Sequence, residues 1–166
     1  MTLRAPEPKD VEFIYKCEND PNRLAQGRTG LPLSKLQISR YVENYHAEAL
    51  ASGSVRFMIE CDGETAGIVD LYDLDFSASK GFVAIYVDER HRGRGIGKEA
   101  LAQLASFAVA QLSLVMLVAV VSEANDASVR LFRRAGYDAV ALLPQWVRSP
   151  GGELISARLF VRHISR

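Results

Sequence analysis

The run Phe82-Val83-Ala84-Ile85-Tyr86-Val87 has the composition of a strand. Five residues later Arg92-Gly93-Arg94-Gly95-Ile96-Gly97 opens an amphipathic helix. Strand, glycine-rich turn and helix in that order restrict both the fold and its ligand. Glycines let the backbone turn tightly and approach a bound group closely. The helix adds its unpaired first-turn N–H groups and the positive end of its dipole. Arg92, Arg94 and Lys98 add full positive charges. Such a turn suits a pyrophosphate. The spacing is neither G-x-G-x-x-G nor a P-loop, because no Gly-Lys-Ser/Thr follows a four-residue gap. Taken alone, the loop also reads as a plain βα turn with a solvated basic rim.

At 166 residues the chain suits one domain with a sizeable core, taken as a single unit over 1–166. Twenty Lys and Arg balance twenty Asp and Glu, which argues against nonspecific binding to nucleic acid. Cys17 and Cys61 form no C-x-x-C pattern; they read as small buried hydrophobes in a reducing compartment. His46, His91 and His163 are scattered, so no metal-ligand spacing is visible. No apolar run reaches ~18 residues and the polar start lacks a signal-peptide core. The expectation is a cytoplasmic protein with no metal and no membrane partner.

Thr2 to Ala5 reads as a first strand, stopped by Pro6 and Pro8, and Asp10 or a neighbour as the cap of a helix carrying Val11, Phe13, Ile14 and Cys17. A loop over 23–33 precedes a helix capped by Ser34, with an apolar band of Leu36, Ile38, Tyr41, Val42, Tyr45 and Ala49, closed by Ser52-Gly53. Val55 to Cys61 and Thr65 to Tyr72 form a hairpin on Asp62-Gly63. The strand 82–87 and the glycine-opened helix to Leu112 follow. Residues 114–121 are apolar on both faces, a buried strand parallel to its predecessor. A helix starts at Asn125 and ends at Gly136, and strands over 137–147 and 153–163 meet near Pro150-Gly151-Gly152. The order βααβββαβαββ predicts an α/β (α+β) mixed central sheet of about seven strands with helices on both faces.

Two motifs in this order carry a resemblance. Arg92, Gly95 and Gly97 fill an Arg/Gln-x-x-Gly-x-Gly/Ala pattern at the start of the central helix. Asn125-Asp126-Ala127-Ser128-Val129-Arg130-Leu131-Phe132-Arg133-Arg134-Ala135-Gly136-Tyr137 fits N-x-x-(A/S)-x-x-L-(Y/F)-x-x-x-G-F/Y. The chain resembles the GNAT superfamily of N-acetyltransferases over nearly its whole length. Leu3-Arg4 with Asp10, and the hairpin Arg56 to Gly67, are most similar to its spermidine/diamine and ribosomal-protein N-terminal acetyltransferase branch.

The resemblance implies the GNAT fold, with a splay between the fourth and fifth strands, and acetyl-CoA as co-substrate. The residues expected to hold it are Ile85, Tyr86 and Val87 through their backbone, the loop Arg92, Gly93, Arg94, Gly95, Ile96, Gly97 and Lys98, and Asn125, Ser128 and Phe132. Backbone of an open strand edge can pair with the amide-bearing pantetheine arm as an extra strand would. Asn125 is also suited to capping its own helix.

Transfer to an amine needs a neutral nucleophile, a stabilised oxyanion and a departing thiolate. An alkylammonium of pKa ~10.4 must first lose a proton. Asp70 and Asp73, or more distantly Glu43 and Glu48, are candidate bases, and a backbone N–H of 85–87 is the candidate oxyanion donor. Many members of the superfamily protonate the thiolate with a tyrosine at the position filled here by Phe132, which cannot donate. Tyr86, Tyr137 and Ser128 are the alternatives, so the catalytic set is Asp70, Tyr86 and Asn125. The acceptor is expected to be a small amine, a polyamine or a protein N-terminus, selected by residues ~20–50. Arg23, Arg28, Lys35 and Arg40 in that stretch weigh against a polycation. Trp146 reads as core or as a lining of the acceptor cleft. The last strands allow a homodimer. An acyl-CoA-binding module without turnover, and a nucleotide-phosphate binder of another fold, are the competing classes.

Overall fold

The computed structural model describes residues 1–21, 31–45, 49 and 51–165. Most of the predicted loop 23–33, with Arg23 and Arg28, and the candidate base Glu48 lie outside the described residues. The described elements are strand β1 (Thr2–Arg4), helices α1 (Val11–Glu18) and α2 (Lys35–Glu43), strands β2 (Val55–Cys61), β3 (Glu64–Asp75) and β4 (Lys80–Val87), helix α3 (Ile96–Leu112), strand β5 (Met116–Ser122), helix α4 (Asp126–Arg134), and strands β6 (Asp138–Arg148) and β7 (Leu154–His163). Short 3₁₀ turns over Pro8–Asp10 and Glu89–His91 precede α1 and the glycine loop.

The strands form one sheet in the order β1-β2-β3-β4-β5-β7-β6. Among the described strands only β4 and β5 run parallel, as a helical crossover through α3 requires. They pair at Lys80, Gly81 and Phe82 with Met116, Leu117 and Val118, and then part. Beyond that point β4 stays paired with β3 as far as Val87, and β5 with β7 as far as Ser122. The predicted splay is therefore present, opening toward the C-terminal ends of both strands.

Each face of the sheet has its own core. On one side Ile59, Val69, Leu71 and Val83 pack with Ala100, Leu101, Leu104 and Ala108 of α3 and Phe132 of α4. On the other, Met58 and Ile68 pack with Ile14 and Cys17 of α1 and Ile38 and Val42 of α2. Both cysteines are buried.

Three expectations change. The Ser34-capped helix ends at Glu43 and not near Gly53, with Asn44 closing it. Its apolar band is also narrower than predicted. Leu36 is exposed, and Tyr45 belongs to the sheet: its hydroxyl donates to the Arg56 carbonyl at 2.5 Å and accepts from the Arg56 N–H at 3.0 Å. β3 runs on to Asp75 across a register break after Tyr72, at which Asp73 takes φ +48°. Trp146 is 60% exposed and is no part of the core.

Asp10 is not a helix cap through its side chain. Its carboxylate is fully buried and receives both Arg4 Nη atoms at 2.6 and 2.9 Å, the Glu7 N–H at 2.8 Å and the Thr65 hydroxyl at 2.8 Å. Arg4 also bonds Glu60 at 2.6 Å. One carboxylate thereby ties β1, the first turn, α1 and β3 together. Burial alone would raise its pKa, but the bonds from Arg4, Glu7 and Thr65 hold it below the usual carboxylate range. Its contribution to stability is present above the ordinary carboxylate pKa and is lost as pH falls through the lowered folded value. Asp10→Ala removes the shared acceptor of the Arg4 Nη atoms, the Glu7 N–H and the Thr65 hydroxyl while Arg4 keeps Glu60, so denaturant titration at pH 7 should show a loss of about 1–3 kcal/mol. Asp10→Asn should flatten the acid limb of the stability profile.

Gly67 sets the shape of β4 near its end. A Cβ built there collides with the Tyr86 carbonyl oxygen, which belongs to backbone and cannot rotate aside as a side chain does. Gly67→Ala should cost about 1–3 kcal/mol by strand displacement. Hydrogen exchange should report the disturbance at 85–88.

Candidate active site

The open half of the cleft begins where β4 and β5 part. The parallel pairing of β4 with β5 stops at Phe82 and Val118, and beyond it the two strands face each other across the cleft. The loop joining β4 to α3 closes one end. Its fold is held by short-range bonds that the glycine pattern did not reveal. Asp88 donates its N–H to the Ala66 carbonyl at 2.9 Å, and its side chain accepts from the Arg90 N–H at 3.0 Å. The His91 N–H reaches the Asp88 carbonyl at 2.9 Å.

The three glycines divide their work. Gly93 and Gly95 sit at φ +74° and +80°, where a side chain is strained, and a Cβ on either meets nothing within 4 Å. Both face open space. Gly97 is different, because a Cβ there would press on both Leu131 δ-methyls at 3.1 and 3.2 Å. It lets α3 and α4 approach. Gly95 is the N-cap of α3 and no side chain caps the helix, whereas Ser34 caps α2 and Asn125 caps α4. The leading N–H groups of α3 are thus left for a ligand at the positive end of a 17-residue helix.

Of the basic residues, Lys98 is exposed and Arg94 lies 3.6 Å from Asp62 across the β2–β3 turn. Arg92 is bound more tightly to its surroundings. Its Nε donates to the Val87 carbonyl at 3.0 Å, one terminal nitrogen lies 3.4 Å from Glu89, and the guanidinium covers the Tyr86 ring at 6.0 Å. Val87 has therefore already committed its carbonyl, and that of Tyr86 lies against Gly67. Ile85, in register with Val69, and the remaining groups of this edge are left for an extended ligand.

Asn125 stands at the far lip of the cleft. Its N–H bonds the carbonyl of Ser122, the last residue of β5, at 3.0 Å, and its side chain accepts from the Ser128 N–H at 3.0 Å. The helix-capping role is present, and it uses the Ser128 backbone. Ile96 is buried beneath the loop.

Phe132 is 3% exposed, stacked on Phe160 and edge-on to Tyr137. Tyr137 is no substitute donor at the cleft. Its ring lies against Arg162, which pairs with Leu117 in the closed half of β5, away from the splay. Its hydroxyl is buried without a partner, and burial pushes its pKa up. Tyr86 is on the splayed part of β4, edge-on to Phe13 of α1, and is the candidate phenol that stands beside the opening.

Asp70 occupies the same sheet face as Tyr86, but its oxygens are engaged. Arg56 Nε and Nη2 each reach one of them at 2.7 Å, and the same Nη2 lies 2.8 Å from Glu18. The guanidinium also covers Tyr41 at 5.8 Å. Burial opposes the Arg56 charge, and Asp70 and Glu18 more than offset it. Burial likewise pushes the Tyr41 hydroxyl up. The cluster is an ion-paired floor beneath α1 and α2, which leaves Asp70 poorly suited to abstract a proton directly. Alternation along β2 contained a clue, since Arg56 shares parity with the buried Met58 and a charge on that face needs a carboxylate opposite. Asp73 and Glu43 are exposed. Lys35 is paired with Glu12 at 2.6 Å, so one of the cations counted against a cationic acceptor is neutralised. Among the described residues there is no cluster able to hold a metal, and no helix is long and apolar enough to cross a membrane.

This geometry agrees with what is known of related proteins. The domain family described as "Acetyltransferase (GNAT) domain" matches residues 1–138. The spermidine N(1)-acetyltransferase of Escherichia coli is 22% identical over 138 residues, covering 82% of this chain and 72% of its own. A prophage-derived uncharacterized N-acetyltransferase of Bacillus subtilis is 26% identical over 138 residues, covering 82% and 75%. In three dimensions the chain is similar to the Vibrio cholerae spermidine N-acetyltransferase crystallised with CoA and spermine, with a TM-score of 0.84 over 98% of this chain and 95% of that one, at 18% identity. That last likeness is one of fold. With the domain match spanning most of its length and the splayed sheet beside an uncapped helix, the chain belongs to the GNAT acetyltransferases, enzymes that use acetyl-CoA as co-substrate.

Proposed function

We propose that the protein moves an acetyl group from acetyl-CoA to a primary amine of a polyamine, working in the cytoplasm as a single acyltransferase unit over 1–166. The observation that carries this reading is the parting of β4 from β5 beyond Phe82, which leaves a cleft that ends at the uncapped start of α3. Bound acetyl-CoA supplies a thioester whose carbonyl carbon forms a bond to the amine nitrogen while its C–S bond breaks. Gly93 and Gly95 leave room for a diphosphate against the α3 amides, with Arg94 and Lys98 on the rim. The edge of β4 aligns the amide-bearing arm, and one of its N–H groups stabilises the oxyanion. Asn125 orients the opposite wall while capping α4.

The polyamine acceptor is supported by the two relatives named for spermidine and by the local charge. Glu18 and Asp70 outnumber Arg56 on the face beneath α1 and α2, and Lys35 is neutralised. Because Asp70 is ion-paired, the amine proton leaves through water, and Tyr86 is the residue best placed to return a proton to the sulfur. A thiol of pKa ~8.5 is a fair leaving group even unassisted, so Phe132 is compatible with turnover.

The reading is tested by incubating the protein with acetyl-CoA and a panel of amines while following free thiol. Thiol release should require an amine and be fastest with spermidine or spermine. Tight CoA binding with no release on any amine would replace the enzyme with a binding module. Gly95→Glu should weaken CoA binding by at least about tenfold, through lost left-handed backbone and like-charge repulsion, in a chain that still folds. Tyr86→Phe should lower kcat by about 10²-fold, at the low end of general-acid effects, with CoA affinity unchanged.

A further inference from the structure

We propose that Arg130 and Arg134 of α4, together with Lys98 of α3, form a second anion site that takes the 3′-phosphate of CoA, so that the protein distinguishes CoA from dephospho-CoA. This rests on acetyl-CoA being the co-substrate and extends its site beyond the diphosphate. Both arginines stand at unspecified positions of the Asn125–Tyr137 pattern, which gives them no role.

Their placement follows from helix geometry. α4 meets α3 at Leu131, whose δ-methyls lie close to where a Gly97 Cβ would stand. At 3.6 residues per turn, Arg130 and Arg134 lie about 100° and about 60° round α4 from Leu131 on one side, and the buried Phe132 lies about 100° round on the other. The two arginines therefore stand on the solvent side of the α3 contact, and both are exposed. Arg133, about 160° from Leu131, is on the flank away from α3. On α3 the side toward β1 is marked by Gln103, which donates to the Met1 carbonyl at 3.4 Å. Lys98 lies about 140° round from Gln103 and so borders the groove shared with α4. Ala102 of α3 and Ala127 of α4, both exposed, keep the groove walls low between the cations.

These charges are uncompensated. Among the described residues Lys98, Arg130 and Arg134 have no ion pair, whereas Arg92 lies against Glu89 and Arg94 against Asp62. Arg134 sits in the last turn of α4, where a cation suits the helix dipole, but Arg130 is in mid-helix and gains nothing from it. Like charges at i and i+4 destabilise a helix, and an anion between them reverses that repulsion. The ligand follows from position. The groove begins beside Gly97 and Lys98 in the first turn of α3, whose leading N–H groups take the diphosphate in the proposed reading. In CoA the 3′-phosphate is one ribose away from that diphosphate and is largely dianionic at neutral pH. Planar guanidinium forks match its oxygens with paired N–H donors, which an ammonium cannot do.

The test is calorimetric titration of the full chain with CoA and with dephospho-CoA, which lacks only that phosphate. The wild type should bind CoA about tenfold more tightly, and the ratio should shrink at high salt. Arg130→Gln and Arg134→Gln should each lower the ratio by weakening CoA alone, and the double variant should bring it close to one. Arg133→Gln, the same charge change on the other flank, should leave it as in the wild type. Equal wild-type affinities for the two ligands would overturn the 3′-phosphate site and leave the acetyl-CoA reading in place, and this arm needs no variant to fold. So would an equal loss for both ligands in the Arg130 and Arg134 variants, or as large an effect from Arg133→Gln. Binding of neither ligand would overturn both.

Discussion

Everything functional in this molecule depends on the parting of two parallel strands. β4 and β5 share three residue pairs and then diverge, while each remains fully paired on its outer side, β4 with β3 and β5 with β7. The inner edges beyond Phe82 and Val118 carry backbone donors and acceptors with no partner in the sheet. Left buried, such groups are costly, so they must meet water or an extended ligand with amides of its own. A substrate arm shaped like a strand is the natural occupant. The fold thus creates a binding site by withholding hydrogen bonds from its own sheet.

A wedge of this kind needs a rigid base. α3 packs against β1, β3 and β4, whereas α4 packs against β5 and β6. The two helices meet where Gly97 admits the Leu131 methyls. The fully buried Ala100 and Ala108 bring α3 close to the sheet, and Leu101 and Leu104 fill the space between. The core is continuous from Ile59 on β2 to Phe160 on β7, so the two halves of the sheet are joined beneath the cleft although they are separated above it. The Asp10 network secures the far edge, since β1 has only three residues in its ladder with β2 and would hold poorly on backbone bonds alone. Opening at one end is stable because the other end is tied this firmly.

Much of this was legible in the residues. The element order, the Asp62-Gly63 hairpin and the glycine-opened helix all follow from local chemistry that tertiary contacts do not overrule. The β4–β5 separation was legible only by resemblance, because nothing in two apolar strands announces where their pairing will stop. Among the glycines, sequence could not distinguish the two that face open space from the one that fits a neighbouring helix. α2 ran too long in the sequence reading because Leu36 and Tyr45 count equally as apolar, although one faces solvent and the other bonds β2 through its hydroxyl. Trp146 was misplaced for a related reason: a penultimate strand is ordinarily half-buried, but β6 is the outer edge. Arg56 and Glu18 escaped notice because an ion cluster made by β2, β3 and α1 has no signature within any one of them.

The identity of residue 132 bears on how demanding the chemistry is. In the packed core, Phe132 has aromatic neighbours on two sides, and a hydroxyl there would have to reach the cleft past them or remain unsatisfied. Tyr137 shows the second outcome, a buried hydroxyl without a partner in the closed half of the sheet. Placing a donor on α4 therefore exacts a desolvation cost that this sequence avoids at 132. The splayed part of β4 carries Tyr86 instead, on the sheet face beneath α1 and next to the Arg92 guanidinium. In the proposed reaction, donor, oxyanion N–H and substrate-aligning edge all belong to one strand, whose geometry is set by Gly67 on one side and by the parting of β5 on the other.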